Sequence, residues 1–332
     1  LGNHATRWDQ IVDTQPIPNY CLKSWWIEGA VRDEPFFLLA FDGEELVGGL
    51  ALELDRWHRV NRARTVGIAL WPVHPVHFDI VAAPSRVEEV CHLFRGWFRS
   101  RPPLVFDLRA VSSEARILDI LPGGMRVKAS HGSYAFQRPT GGMTEWLQGL
   151  TANRRKDVRR ALKRLDAAGC RLRTVPSGEA ERALRDLHAL QEIQFGADSL
   201  LIPEFERIRQ ALEAPLKSGE AQFFEIVGPD GRTLVIDLWV RVGWRAVSVA
   251  YARSPEAPSG AGHALLAFVV DAVDNTVDEL DLGTHEAGWK EGWTTLHRGC
   301  VNVYGAFGAR PRLVTRTVDL AIKLRRFAAP KN

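Results

Sequence analysis

Hydrophobic and polar positions fall into two similar runs of elements. In the second run, Gln222 to Val227 is a short apolar stretch, Pro229-Asp230-Gly231 has tight-turn composition, and Thr233 to Val240 resumes with Val, Ile and Trp. Two β-rich segments around a turn signal predict a hairpin. A third strand is predicted at Ala246 to Tyr251, then the loop Ser254 to Gly262, then a helix through Leu265, Leu266, Val269 and Val273. A strand at Glu279 to Leu282, a short helix at Trp289 to Leu296 and a strand at Val301 to Ala306 complete this run.

The first run has the same outline. Phe36 to Phe41 is a strand, Asp42-Gly43 a turn and Leu46 to Leu54 the return strand; His77 to Val81 is predicted as the third strand. After Pro84 come a helix through Val87, Val90, Leu93 and Phe94 and a strand at Val105 to Leu108. Phe36 and Phe223 are 187 residues apart, but Asp107 and Asp281 only 174, so the first run holds thirteen more residues, which the pattern places in Asp55 to Pro75. Internal duplication is the expectation, divided as residues 1–145 and 146–332. Each half reads as α/β, with a mixed, mostly antiparallel sheet flanked by helices.

Between the runs lies a helix over 151–168, with Val158, Ala161, Leu162 and Leu165 on one face. Its other faces carry Arg154, Arg155, Lys156, Arg159, Arg160, Lys163 and Arg164, and Gly169 is placed to end it. A second helix, Glu179 to Phe195, is expected to start after a Ser177 cap.

Composition changes this picture little. At 332 residues and 45% hydrophobic, the chain is ordinary globular protein, and 43 Lys+Arg against 40 Asp+Glu leave a net charge of only +3. Wholesale DNA binding is not expected, so any nucleic-acid contact is local. Cys21, Cys91, Cys170 and Cys300 lie far apart without zinc spacing, which favours reduced thiols and a cytoplasmic setting. No apolar run approaches the roughly 20 residues of a membrane span. The chain starts at Leu1, with no methionine and no charged-then-apolar leader, which leaves room for a trimmed segment.

Candidate chemistry gathers in the second half. Ser259-Gly260-Ala261-Gly262-His263 stands where a helix follows a strand and a loop, and backbone N–H groups at such a helix start suit a pyrophosphate. Asp237 interrupts an apolar strand, where an acid must either pair, with Arg241 or Arg253, or work. Glu225, His285 and Glu286 are further candidate proton acceptors. In the first half Trp71, His74, His77 and Asp79 are candidate acceptor-pocket residues, and no metal site is expected at their spacing.

Taken together, the run from Phe223 to Ala306 resembles the GNAT acyltransferase core. The doubled layout, the basic helix RRKDVRRALKRL and the string DLGTHEAGWKEGW are similar to the Fem-type and CelD-type double-GNAT families, through Asp281, Gly283, Trp289 and Lys290. In the single-domain signature a Gln or Arg stands two places before the first glycine, where this chain has Pro258. The resemblance implies two tandem GNAT-like domains and acyl transfer to the amine of a small molecule or peptide, without a covalent enzyme intermediate. It implies a donor site at Tyr251, Arg253, Ser259, Gly260, Gly262 and His263, with Lys290 stabilising negative charge and Asp237, His285 or Glu286 moving the proton. Acyl-coenzyme A is the favoured co-substrate, with no tightly bound cofactor. Aminoacyl-tRNA is the alternative donor, met by Arg154, Arg155, Arg159 and Lys163, with a second basic cluster at Arg310, Arg312, Arg316, Lys323, Arg325 and Arg326. A scaffold that binds without turnover is the third reading.

Overall fold

A computed structural model of the chain describes residues 1–31, 34–66, 77–100, 104–199, 201–284, 290–307, 311–313 and 315. The first half supplies strands β1 (Glu34–Asp42), β2 (Glu45–Trp57), β3 (Val60–Thr65), β4 (Val81–Ala82), β5 (Leu104–Ser112) and β6 (Arg126–Gln137). The second supplies β7 (Arg171–Thr174), β8 (Ala221–Val227), β9 (Thr233–Val242), β10 (Arg245–Arg253), β11 (Glu279–Asp281) and β12 (Leu296–Ala306). Helices α1 (Ala5–Asp13), α2 (Ser24–Ala30), α3 (Val87–Ser100), α4 (Ile117–Ile120) and α5 (Gly142–Gly149) precede the basic helix α6 (Ala152–Ala167); α7 (Ala180–Phe195), α8 (Phe205–Ser218) and α9 (Ala261–Ala272) follow.

Local signals account for most boundaries. The Thr151 side chain caps α6 by accepting the Arg154 N–H, Val158, Ala161 and Leu165 are buried, and Gly169 has a φ of +66°. Ser177 does not cap α7 with its side chain; it opens a 3-10 turn, Ser177–Glu179, that feeds the helix at Ala180. The expected helix near Trp289 shrinks to the 3-10 turn Lys290–Gly292, and β12 starts at Leu296, earlier than its apolar run suggests.

Pairing bears out the duplication. β2 runs antiparallel to β3, which is parallel to β5; likewise β9 runs antiparallel to β10, which is parallel to β11. The third strand of the first half is thus Val60–Thr65, inside the stretch expected to be an insertion. The predicted strand His77 to Val81 is corrected to a single bridge, Phe78 with Val111, and the two-residue β4 on β2. The reason lies in the β2–β3 turn: His58 and Arg59 both have positive φ, 48° and 64°, so a two-residue turn forms without the Asn-Gly or Gly that usually announces one.

The two halves are laced through one sheet of order β1-β2-β3-β5-β12-β6-β11-β10-β9-β8-β7. β6, from the first half, pairs with β11 of the second; β12, from the second, pairs with β5 of the first. Their last strands are therefore exchanged. One core continues from the first half beneath α7 and α8, while α5, α6 and α9 cover the other face of β8 to β11 with a second core. No described helix is long and apolar enough to cross a membrane.

Candidate active site

Strand alternation puts Asp237 on the same face as Val235 and Trp239, under α6 and α9. Asp237 is 8% exposed. Its carboxylate accepts hydrogen bonds from Ser248 Oγ and Trp239 Nε1, both at 2.8 Å, and pairs with neither arginine that the sequence offered. Burial pushes its pKa up to about 7, against the pull of those two donors and of the Lys290 charge.

Lys290, 5% exposed, carries the positive charge that acts on it. Its Nζ donates to the carbonyls of Leu282 (2.6 Å) and Gly283 (3.1 Å). Burial lowers its pKa to about 8, opposed by the charges of Asp281 and Asp237. The Tyr251 hydroxyl, pushed up to about 12 by burial and then by the charge of Asp237, belongs to the same cluster.

The strands open beside these groups. β10 pairs with β11 only over Arg245 to Val247, and a bulge between Ser248 and Ala250 turns its remainder away. Gly283, at φ +74°, passes so close that an added Cβ would lie 3.2 Å from the Ser248 carbonyl oxygen. Helix α7 touches the diverging strand: Gln191 Nε2 donates to the Tyr251 carbonyl at 2.7 Å, and Gln194 Oε1 accepts from the Arg253 N–H at 2.9 Å. Ser248, Gln191 and Gln194 carried no motif in the sequence, since polar side chains aimed at a strand edge follow no spacing rule.

The loop before α9 lies against the basic helix. A Cβ on Gly260 would meet the Ala161 Cβ at 2.9 Å, and Arg164 donates to the Ser259 carbonyl at 3.2 Å. Within the first turn, the Ala261 N–H bonds to Pro258 O, and the N–H groups of His263 and Ala264 bond to Gly260 O. Gly262 faces the Tyr251 hydroxyl, 2.7 Å from where its Cβ would be. His263 packs on Trp293 with ring centroids 4.4 Å apart, Arg154 lies 4.9 Å from that ring, and Trp146 stacks on it at 5.8 Å. Burial lowers the His263 pKa, and the Arg154 charge adds to the effect. Gly260→Val is expected to destabilise the fold by about 2–4 kcal/mol, because a β-branched side chain is strained at φ +85° and meets α6; urea unfolding measures it.

Other expected residues lie elsewhere. Glu225 is buried in an ion cluster with Arg173 and Arg182. Asp79 accepts the N–H groups of Ile80, Arg116 and Ile117, holding the start of α4. His77 bonds to Ser133 Oγ at 2.8 Å and touches Cys300. On α6, Arg155 turns inward onto the Gln148 and Leu150 carbonyls, while Lys156, Arg159, Arg160 and Lys163 face solvent. Arg312 is exposed. Trp71, His74, His285, Glu286 and Trp289 lie outside the described residues, as do Arg310, Arg316, Lys323, Arg325 and Arg326. No group of three His, Cys, Asp or Glu suited to a metal occurs among the described residues.

Comparison with known proteins agrees with this layout. Residues 152–291 match the family model of the acetyltransferase (GNAT) domain. FemX superposes with a TM-score of 0.68 at 13% identity, covering 92% of this chain and 96% of that one. A conserved protein of unknown function from Bacteroides thetaiotaomicron gives 0.62 at 11% identity, covering 91% and 96%. The C-terminal domain of a protein named lysylphosphatidylglycerol synthetase, from Agrobacterium fabrum, gives 0.56 at 12% identity, covering 95% of each chain. At such identities these similarities speak for the fold. No curated protein sequence matches. Residues 152–291 thus form a GNAT acetyltransferase domain, within a chain whose fold is shared with FemX.

Proposed function

We propose that the chain is an N-acyltransferase that joins an activated acyl group to the amine of a small molecule or peptide, in one direct transfer. The observation that carries this reading is the pair beside the strand divergence: a buried carboxyl titrating at about 7 within electrostatic reach of a buried ammonium titrating at about 8. The Asp237 carboxylate takes one proton from the incoming ammonium, and the freed nitrogen attacks the acyl carbon. Lys290 offsets the negative charge that forms on the carbonyl oxygen. Attack forms the C–N bond; collapse of the tetrahedral intermediate breaks the bond to the oxygen or sulfur of the carrier, which takes up the second proton shed by the attacking nitrogen, and Asp237 returns the first proton to solvent. Burial that pushes the Cys300 thiol up to about 11 supports a mechanism without a cysteine nucleophile.

For the donor, the contact of Ala161 with the Gly260 loop and the solvent-facing row Lys156, Arg159, Arg160 and Lys163 favour an aminoacyl-tRNA. Acyl-coenzyme A is the second reading, on one observation: Arg154 and Arg164 lie beside the start of α9, where an anion meets two positive charges. Both donors are offered to purified protein with a labelled amine, with and without ribonuclease. Loss of product with ribonuclease is expected; product formed from acyl-coenzyme A alone would overturn the RNA assignment. Reversing Arg159 and Lys163 to Glu is expected to weaken an RNA donor at least tenfold and to flatten the salt dependence of its binding.

The dependence of kcat/KM on pH is expected to be a narrow bell. Activity rises as Asp237 loses its proton near 7 and falls as Lys290 loses its own near 8. Because each charge acts on the other, the two arms belong to the pair. A flat profile from pH 5 to 10 would remove both groups from the reaction.

A further inference from the structure

The groups that hold Lys290 belong to a buried charged node that the proposed reaction does not use directly. Arg245, Glu279 and Asp281 are each 0% exposed. Arg245 Nε donates to Glu279 at 3.0 Å, one Nη donates to Asp281, and the other donates to the Pro18 carbonyl at 3.2 Å. Arg298 on β12 makes a second pair with Glu279 at 2.5 Å, so two guanidinium groups meet two carboxylates. Charges this deep persist only when paired and hydrogen-bonded. Burial opposes ionisation of Asp281, yet Arg245, His77, Ser133 and the Gly283 N–H together hold its carboxyl below the usual range.

A chain of contacts leads from the node to Lys290. Asp281 Oδ1 accepts the Gly283 N–H at 2.6 Å, which fixes the turn Asp281-Leu282-Gly283. The carbonyls of Leu282 and Gly283 in that turn receive the Lys290 Nζ protons. The node also reaches into the first half through Pro18, through Ser133 on β6, 3.4 Å from Arg245, and through His77 bonded to Ser133.

We propose that Arg245 and Asp281 are positioning residues for Lys290: Asp281 sets the two carbonyls that orient the ammonium, and Arg245, anchored to the first half, sets Asp281. This rests on Lys290 acting on the developing negative charge as proposed above. It also gives the first half a part in a site whose named groups all lie in the second. The charges that reach Lys290 are Asp281 from β11 and Asp237 from β9.

The test labels Lys290 with an amine-reactive anhydride over a range of pH, read on its peptide by mass spectrometry, a measurement that needs no acyl transfer. In the intact protein a midpoint of about 8 is expected. Asp281→Asn removes one of the two negative charges that act on Lys290, so the midpoint is expected to fall by about one pH unit, a tenfold change in the protonation equilibrium. Arg245→Lys keeps the buried charge but loses the fork; it is expected to leave the midpoint in place and raise the labelling rate at pH 8 about tenfold. In turnover, both variants are expected to lower kcat at least fivefold with KM changed less than twofold. An unchanged midpoint in folded Asp281→Asn would overturn the proposal. Should that variant not fold, an unchanged labelling rate in Arg245→Lys would do the same. A shifted midpoint in a protein that transfers no acyl group from any donor supports the positioning role and sinks the transferase reading alone.

Discussion

Asp237→Asn is expected to abolish acyl transfer and, at the same time, to stabilise the protein at pH 8. Loss of a general base costs about 10²–10⁴ in kcat. The stability gain follows from the direction of the shift. The carboxyl rises from 3.8 unfolded to about 7 folded, so the native state holds the proton more tightly than the unfolded chain. Stability carried by this group is therefore full below the unfolded value and is lost as pH rises to about 7. A shift of this size is worth about 4 kcal/mol at 1.4 kcal/mol per unit, and an amide facing one of the two donors of Ser248 and Trp239 returns about 1–2 of that. A net gain of about 2 kcal/mol is expected at pH 8, turning into a net loss of about 1–2 kcal/mol near pH 4, where the native carboxyl is protonated and only the cost of the amide remains. Calorimetry at the two pH values decides it. A variant less stable than the parent at pH 8 would mean that Asp237 is held there for packing and not for chemistry.

Gly29→Ala is expected to destabilise by about 3–5 kcal/mol, against the intrinsic preference of a helix for alanine. Gly29 lies in α2, where a Cβ would stand 2.5 Å from the Ala211 Cα and 2.8 Å from its backbone nitrogen in α8. Backbone atoms cannot turn aside as a side-chain tip does. The helices must therefore separate, loosening Trp26, Ile27, Ile208 and Leu212 in the core common to both halves. Gly96→Ala in α3 is the matched control: nothing lies within 4 Å of its Cβ position, and helix propensity should stabilise it by about 1 kcal/mol. Opposite signs from one chemical change, read as denaturation midpoints, would separate tertiary packing from local preference. Equal effects would show that α2 and α8 slide apart cheaply.

Much of the second half was legible in the chain. Thr151, the apolar stripe and Gly169 define α6 with few surprises, and Pro229-Asp230-Gly231 marks the hairpin of β8 and β9. Asp237 could be singled out because a lone acid in an apolar strand breaks its pattern. Lys290 could be reached only through the resemblance, since its local sequence is that of a surface turn, and its burial comes from the fold around it. The third strand of the first half escaped notice because His58 and Arg59 make a turn that their side chains do not advertise. Arg245 escaped for a different reason: an arginine next to a glycine-containing turn reads as solvent-exposed until β11, β6 and the Pro18 loop are placed around it.

Periodicity, caps and turn residues act over a few positions, so α3, α6, α7 and α9, the hairpins β1–β2 and β8–β9 and the repeated outline were legible within the chain itself. Exchange of β6 and β12 and the anchoring of Arg245 to Pro18 and Ser133 join residues more than a hundred positions apart, and β10 and β11 diverge across more than thirty, where no spacing rule reaches. The chemical character of Asp237 and Lys290 belongs to that second class, because a pKa moves with desolvation and with neighbouring charge, and both exist only once distant segments have closed around the group.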